Sequence, residues 1–443
     1  MLAAQAGIRV QSDLLTRLDQ ARAQTDQLFD IVKPEFLYER PIPERHRILF
    51  YIGHLEAFEW NLLRERVLGI TSFHPEFDQL FAFGIDPVDG GLPSDQPADW
   101  PPLGQVRNYV RQVRHVLDTS LASIELSQDS EPEFSPSLLL NVAIEHRLMH
   151  AETLAYMFHQ LPLSTKFKNT KARELVTHAF APRMAEIPAG PATLGLARCQ
   201  TNIFGWDNEY ESHTVAVPAF AIDKYPVTNG EYLQFINAGG YGNRALWSQA
   251  DWDWKMEQQI SHPVFWSAYD GGWRYRTMFE EVPLPLDWPV YVSHAEASAY
   301  ARWAGKTLPT EAQWHRAAYG TAEGPEREYP WGTEKPDHRL GNFNFEQWDP
   351  TPVGAFPQAE SAFGVADLIG NGWEWTSSVF QPFPGFQAFS FYPGYSANFF
   401  DGQHFVMKGG SARTAACMLR RSFRNWFQPH YQYVYAGFRC VSN

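Results

Sequence analysis

The chain has 443 residues, and 36 Lys and Arg against 50 Asp and Glu leave a formal net charge of -14. Charged residues at 19% and aromatics at 15% exclude a disordered chain and a coiled coil, and an acidic sequence without a run of Lys or Arg lacks the footprint that nucleic acid demands. No apolar stretch approaches the ~18–20 residues that span a bilayer, and the N-terminus has no basic segment leading into an apolar one, so no membrane partner and a soluble cytoplasmic enzyme are expected. Cys199, Cys417 and Cys440 lie far apart without CxxC spacing, which suits three reduced thiols rather than disulfides or a thiolate zinc site.

The two halves differ in composition. Of the Trp residues only Trp60 and Trp100 fall within residues 1–165. Leu14, Leu18, Ala21, Leu28 and Val32 recur at helical spacing, and Pro41 and Pro43 end that segment. Ile48, Tyr51, Ile52, Leu55, Phe58 and Leu62 predict a second helix running to about Gly69, with His54 on a face shared with Phe50, Tyr51, Phe58 and Asn61. The Pro- and Gly-rich stretch from Phe73 to Pro102 reads as a long loop. Val106, Tyr109, Val113, Leu117 and Leu121 predict a third helix, and Ser135-Pro136 opens a fourth that reaches His159. These elements predict a four-helix bundle over residues 1–165, a linker over 166–185 and a second domain over 186–443. In that domain short apolar segments broken by Gly, Pro, Asn and Asp predict an irregular α+β fold with a Trp- and Tyr-built core and clear helices at 294–304 and 311–319.

His146 and His150 stand at i and i+4, so one helix face presents both imidazoles. His54 sits mid-helix elsewhere in the bundle, where facing helices can converge ligands on one centre. Three neutral imidazoles suit zinc, copper, nickel or ferrous iron, with positions left for substrate and dioxygen. Glu152 points to another face, where a solvated or ion-paired carboxylate is expected.

TLPTEAQWHRAAYG (307–320), YPWG (329–332), GNGWEWTSS (370–378), KGGS (408–411) and AGFR (436–439) together resemble the formylglycine-generating-enzyme/sulfatase-modifying fold, which is C-type-lectin-like. The copper-holding cysteine pair of the formylglycine-generating enzymes is missing, because only Cys417 follows KGGS. A DinB-like bundle bearing HxxxH, joined to this fold, instead resembles the non-haem iron sulfoxide synthases of ergothioneine biosynthesis. The resemblance implies ferrous iron held by His54, in YIGHLEAFEW, and by His146 and His150, with the second domain closing over the site. It also implies oxidative coupling of a chalcogen donor to hercynine with dioxygen, and hercynine contacts from Asn425 and Trp426 of the RNW segment. An Asn amide suits a carboxylate and an indole face suits a quaternary ammonium.

Departures from the family pattern concern the donor. Two tyrosines expected after WEWTSS, one of them a proton donor, correspond to Phe380 and Phe383. Met149 replaces a common Gln, and Phe427 and Tyr431 replace the charged residues that hold γ-glutamylcysteine. A neutral pocket that also includes Phe386 and Tyr433 suits a selenosugar, as in the selenoneine synthases, with a small thiol such as cysteine as the alternative. The catalytic proton donor is left unassigned. Resemblance further implies a structural calcium ion near Asn371 and Glu374. A non-catalytic lectin-like binding module and a zinc-dependent thiol transferase are the competing readings.

Overall fold

In a computed structural model, the fold is described for residues 2–85, 91–123, 134–167, 181–200 and 203–442. The chain forms two compact units, Met1–Asn169 and Thr170–Asn443. The first contains α1 (Leu2–Phe29), α2 (Ile48–Leu63), α3 (Pro75–Phe83), α4 (Leu103–Ser123) and α5 (Pro136–Gln160). Helix α2 packs on α3, α4 and α5, and α1 packs on α5.

Burial explains why the helices differ in pattern. On α4 only the stripe Val106, Tyr109, Val113, Leu117 and Leu121 is buried, the spacing of a helix with one face in water. On α2 burial runs all the way round, from Ile48 to Leu63, and includes His54, Glu56 and Glu59. Helix α2 ends at Leu63, and the chain turns to reach Gly69, which adopts a φ of 62° outside the helix. Ser135 caps α5 by accepting a hydrogen bond from the Leu138 N–H, with Pro136 at the first helical position.

The stretch expected to be a long loop contains α3. His74 caps it by accepting from the Phe77 N–H, Pro75 opens it, and Glu76 and Asp78 lie in its acidic first turn. A short 3-10 turn at Pro97–Asp99 follows, and residues 86–90 lie outside the described residues. The helix was hidden because its nine residues are too few for a convincing period.

Buried ion pairs join four of these helices. Arg147 on α5 contacts Glu59 at 2.5 Å and Glu56 at 2.8 Å, both on α2. Arg22 on α1 reaches Glu59 at 2.9 Å, and Arg114 on α4 reaches Glu56 at 2.6 Å. Each buried carboxylate therefore meets two guanidinium groups, the condition under which buried charge is tolerated.

Of the expected linker, residues 168–180 lie outside the described residues. Lys166 belongs to the helical unit, where its ammonium donates to the Phe158 carbonyl and its backbone bridges Val32. The first strand begins at Met184, inside the expected linker.

The second unit is α+β. One sheet has the order β1 (Met184–Ile187), β4 (Phe220–Asp223), β12 (Val441–Ser442), and β2 (Gly190–Leu194) pairs with β3 (His213–Val217). Three strands, β5 (Trp266–Tyr269), β6 (Gly272–Arg276) and β7 (Glu281–Pro283), form a meander. The fourth sheet runs β10 (Asn425–Phe427), β9 (Phe405–Gly410), β8 (Gly372–Val379), β11 (Ala436–Gly437). Besides the two expected helices, now α8 (His294–Trp303) and α9 (Glu311–Tyr319), the unit holds α6 (Asn229–Asn237) and α7 (Gln249–Glu257). Thr228, Ser293 and Thr310 open α6, α8 and α9 with reciprocal capping boxes. Trp206, Trp288, Trp314 and Trp375 are fully buried, so large aromatics rather than long strands fill this core.

Candidate metal centre

His54 on α2 and His146 and His150 on α5 come together inside the helical unit. One ligand atom from each lies within 4.8 Å of the others, and this is the one such group of three or more among the described residues. His54 Nε2 stands 3.2 Å from His150 Nε2. That is about the separation of two nitrogens sharing one ion at ~2.1 Å each. The spacing of HxxxH sets His146 and His150 one turn apart, with ring centroids 4.5 Å apart.

The surroundings fix both the rings and their protonation. Phe58 stacks on His146 at 3.4 Å and 8°, and Phe50 stacks on His54 at 4.7 Å. His54 Nδ1 donates to the Phe81 carbonyl at 2.7 Å, which leaves Nε2 with a free lone pair. Burial pulls His54 down to about 4, with the nearby His46 and the Arg147 guanidinium adding to the effect and the Phe81 carbonyl opposing it. Burial, followed by the neighbouring imidazoles, pulls His146 and His150 well below the ordinary histidine range. All three rings are consequently neutral at pH 7, the state a metal ion needs. His150 Nδ1 is buried with no hydrogen-bond partner among the described residues. What fits a shared cation is the approach of the two Nε2 atoms, whose lone pairs would repel at 3.2 Å without an ion or a proton between them. The donor set suits iron(II), zinc, copper or nickel.

Tyr51 also belongs to this centre. Its ring lies 5.6 Å from His150, and burial pushes its phenol up to about 12. Glu152, expected in solvent or an ion pair, is buried. The Phe81 carbonyl was beyond sequence reasoning, since it sits on the helix that the loop reading concealed.

The second unit distributes its candidate residues over two faces. Trp426 pairs with Val406 in the middle of β10, so its side chain points opposite to those of Asn425 and Phe427. Trp426 stacks on Phe380 at 4.2 Å and 6°, with Tyr395 and Phe399 close by. Phe380 is 0% exposed, and the Arg424 guanidinium covers Phe383 at 3.9 Å. Arg424 is itself held by Glu311 at 3.0 and 3.1 Å. On the other face Phe427 stacks on Tyr431 at 5.0 Å, and Tyr431 meets Tyr433 at 5.3 Å. The pocket expected from Phe380, Phe383, Phe386, Phe427, Tyr431 and Tyr433 is thus two aromatic clusters, because strand alternation separates neighbours in sequence. Phe380 has no surface to offer a ligand; it backs Trp426. Asn425 accepts from the Trp426 N–H, while its amide N–H groups make no hydrogen bond among the described residues.

Asn371 and Glu374, where resemblance implies calcium, have their oxygens engaged. Glu374 accepts from Trp314 Nε1 at 2.7 Å and from Arg439 at 2.6 and 2.7 Å. Asn371 Oδ1 accepts from Asn342 and from the Thr351 N–H and hydroxyl.

Comparisons with known proteins agree with this two-part organisation. Residues 17–154 match the DinB superfamily, and residues 171–443 match the sulfatase-modifying factor enzyme 1-like domain. The hercynine oxygenase of Mycolicibacterium thermoresistibile is 37% identical over 441 residues, covering 97% of this chain and 94% of that one. The hercynine oxygenase of Mycobacterium tuberculosis is 39% identical over 340 residues, 76% of this chain and 77% of that one. Ergothioneine biosynthesis protein 1 of Neurospora crassa is 29% identical over 92% of this chain and 55% of its own length. With both domains matched in this order and relatives similar along nearly its whole length, the chain belongs to the ergothioneine-type sulfoxide synthase family of non-haem iron enzymes.

Proposed function

We propose that the chain is an iron(II)- and dioxygen-dependent enzyme that forms a carbon–chalcogen bond on the imidazole of hercynine, with a selenosugar as donor. The convergence of three neutral imidazoles from α2 and α5 carries the reading. Relatives named hercynine oxygenase supply the acceptor. The donor follows from the side chains: Phe380 and Phe383 provide no hydroxyl, and Phe427 and Tyr431 provide no charge to pair with the carboxylates of γ-glutamylcysteine. A small thiol such as cysteine is the second reading, favoured by the ergothioneine biosynthesis protein among the relatives.

Iron held by His54, His146 and His150 would supply the electron transfer that makes dioxygen reactive. The chain's own residues do the rest. Burial keeps the imidazoles unprotonated, the Phe81 carbonyl holds the His54 proton on Nδ1, and Phe50 and Phe58 set the ring planes. Asn425 offers amide N–H groups to the hercynine carboxylate, with Tyr431 on the same face of β10, while Trp426, on the opposite face and stacked on Phe380, holds the strand that presents Asn425.

The test is a competition. Iron-loaded protein is given hercynine, a selenosugar and cysteine in air, with products read by mass and oxygen uptake followed. The expected result is a hercynine–selenium product and uptake that His150→Ala abolishes. Exclusive use of cysteine would overturn the donor, and uptake unaffected by His150→Ala would overturn the centre.

A further inference from the structure

We propose that α3 is a latch for the metal centre: Gly53 and Asp78 seat it so that the Phe81 carbonyl keeps the His54 proton on Nδ1, which makes Asp78 a positioning residue for metal binding. The metal role rests on reading His54, His146 and His150 as ligands.

A carbonyl can only accept a hydrogen bond, so the 2.7 Å contact from His54 Nδ1 to Phe81 O assigns the proton to Nδ1. The lone pair is then on Nε2, the atom facing His150. A histidine side chain in water favours the opposite tautomer, with the proton on Nε2. The contact therefore selects the ligating form, provided the carbonyl stays in place.

The His74 cap and Pro75 do not suffice to keep it there, because a nine-residue helix is too short to persist by itself. Two devices seat α3. The first is Gly53, the residue before His54: a Cβ on it would stand 2.4 Å from ring atoms of Phe81, so only glycine lets that ring lie against the backbone of α2. The second is Asp78, one turn before Phe81. Its Oδ2 accepts from Trp60 Nε1 at 3.0 Å and from the Ser72 hydroxyl at 2.6 Å, and its Oδ1 accepts from the Tyr109 hydroxyl at 2.7 Å. Its backbone carbonyl accepts from Asn61 Nδ2 at 3.1 Å. Trp60 and Asn61 belong to α2 and Tyr109 to α4, so one buried carboxylate ties α3 to both neighbours. Among the described residues the closest cation, Arg64, is 4.0 Å away. Asp78 thus acts as an acceptor for three neutral donors more than as half of an ion pair.

The experiment reads tautomer and metal affinity separately. Metal-free protein carrying 15N-histidine reports the His54 tautomer, the signal being assigned by its loss in His54→Asn, and Co(II) titration reports affinity. In the wild type the proton is expected on Nδ1. Gly53→Ala and Asp78→Ala are expected to mix the tautomers and to weaken Co(II) binding ~10–100-fold. Asp78→Asn is expected to restore both, since the Tyr109 hydroxyl can turn to accept from the new amide. Should Asp78→Ala fail to fold, Tyr109→Phe removes one anchor more gently and is expected to shift the tautomer in the same direction. A wild-type proton on Nε2, or unchanged tautomer and affinity in Gly53→Ala, would overturn the latch. Wild type that binds no Co(II), or binds it as well with His150→Ala, would overturn the ligand reading and the metal role of Asp78, while the tautomer signal still decides whether α3 latches His54.

Discussion

Replacing Arg147 by Met tests whether the ion pairs between α2 and α5 carry the helical unit. Arg147 is 1% exposed and contacts Glu59, Glu56 and the Thr25 hydroxyl. Burial pushes the Glu56 carboxyl upward, but Arg147, Arg114 and Arg22 outweigh it and hold the group below the ordinary carboxylate range. Met fills the volume without strain but leaves two buried carboxylates to share Arg22 and Arg114. Breaking a buried pair on one side costs ~3–5 kcal/mol. At ~2–4 °C per kcal/mol for a unit of this size, the helical unit is expected to melt roughly 6–20 °C lower. Circular dichroism at neutral pH on metal-free protein follows the helices. Adding Glu59→Gln to Arg147→Met is expected to recover part of the loss, because it removes one of the two buried carboxylates left with a single guanidinium each. A melting temperature within ~2 °C of wild type, or a double variant worse than the single, would show that solvent reaches the carboxylates and that the network is not buried in solution.

The metal-free protein is expected to lose stability as pH falls. The folded His54 pKa, about 4, lies below that of an unfolded histidine, so stability is level above ~6.5 and declines as pH falls toward 4. Between pH 7.5 and pH 5 His54 alone contributes ~2 kcal/mol to that decline. Urea unfolding at pH 7.5 and pH 5 measures it, and an equal decline in a variant lacking all three histidines would refute the assignment. Asn425→Ala is expected to raise the KM for hercynine ~10-fold, the loss of about one charge-assisted hydrogen bond, with kcat little changed. A change confined to kcat would place Asn425 elsewhere in the reaction. Glu374→Gln leaves the fully buried Arg439 without its counter-charge and is expected to cost the second unit ~3–5 kcal/mol. Millimolar calcium is expected not to restore it; rescue by calcium would show that Glu374 serves an ion after all.

The helices of the first unit were legible where one face is polar or where a cap is written plainly. The stripe on α4 and the Ser135-Pro136 start of α5 are cases of each. The histidine centre was legible because HxxxH has a fixed meaning on a helix and because His54 shares its face with Phe50 and Phe58, whose rings then stack on His54 and His146. Helix α3 was not, because Pro75 and Gly84 at its ends, the very residues that open and close it, read equally well as loop punctuation. Its stability comes from Asp78 reaching Trp60 and Tyr109, and such long-range partners leave no periodic trace in the sequence.

The RNW segment shows a different reason for partial legibility. Motif resemblance placed Asn425 and Trp426 side by side as if they gripped one ligand, yet on a strand adjacent residues face apart. The sequence did contain the means to see this, since the segment RNWF ends in an aromatic two positions after Asn425. What it lacked was evidence that these residues form a strand at all, because three residues support no pattern and their pairing partner, Phe405–Met407, lies some twenty residues upstream. Once that pairing is known, each aromatic finds its role from its face: Trp426 leans on Phe380, and Phe427 on Tyr431. A substrate contact at Asn425 therefore has Tyr431 as its near neighbour. On the proposed reading, the departures from the family at Phe427 and Tyr431 would bear on what binds beside Asn425, whereas Phe380 acts only through the indole that it supports.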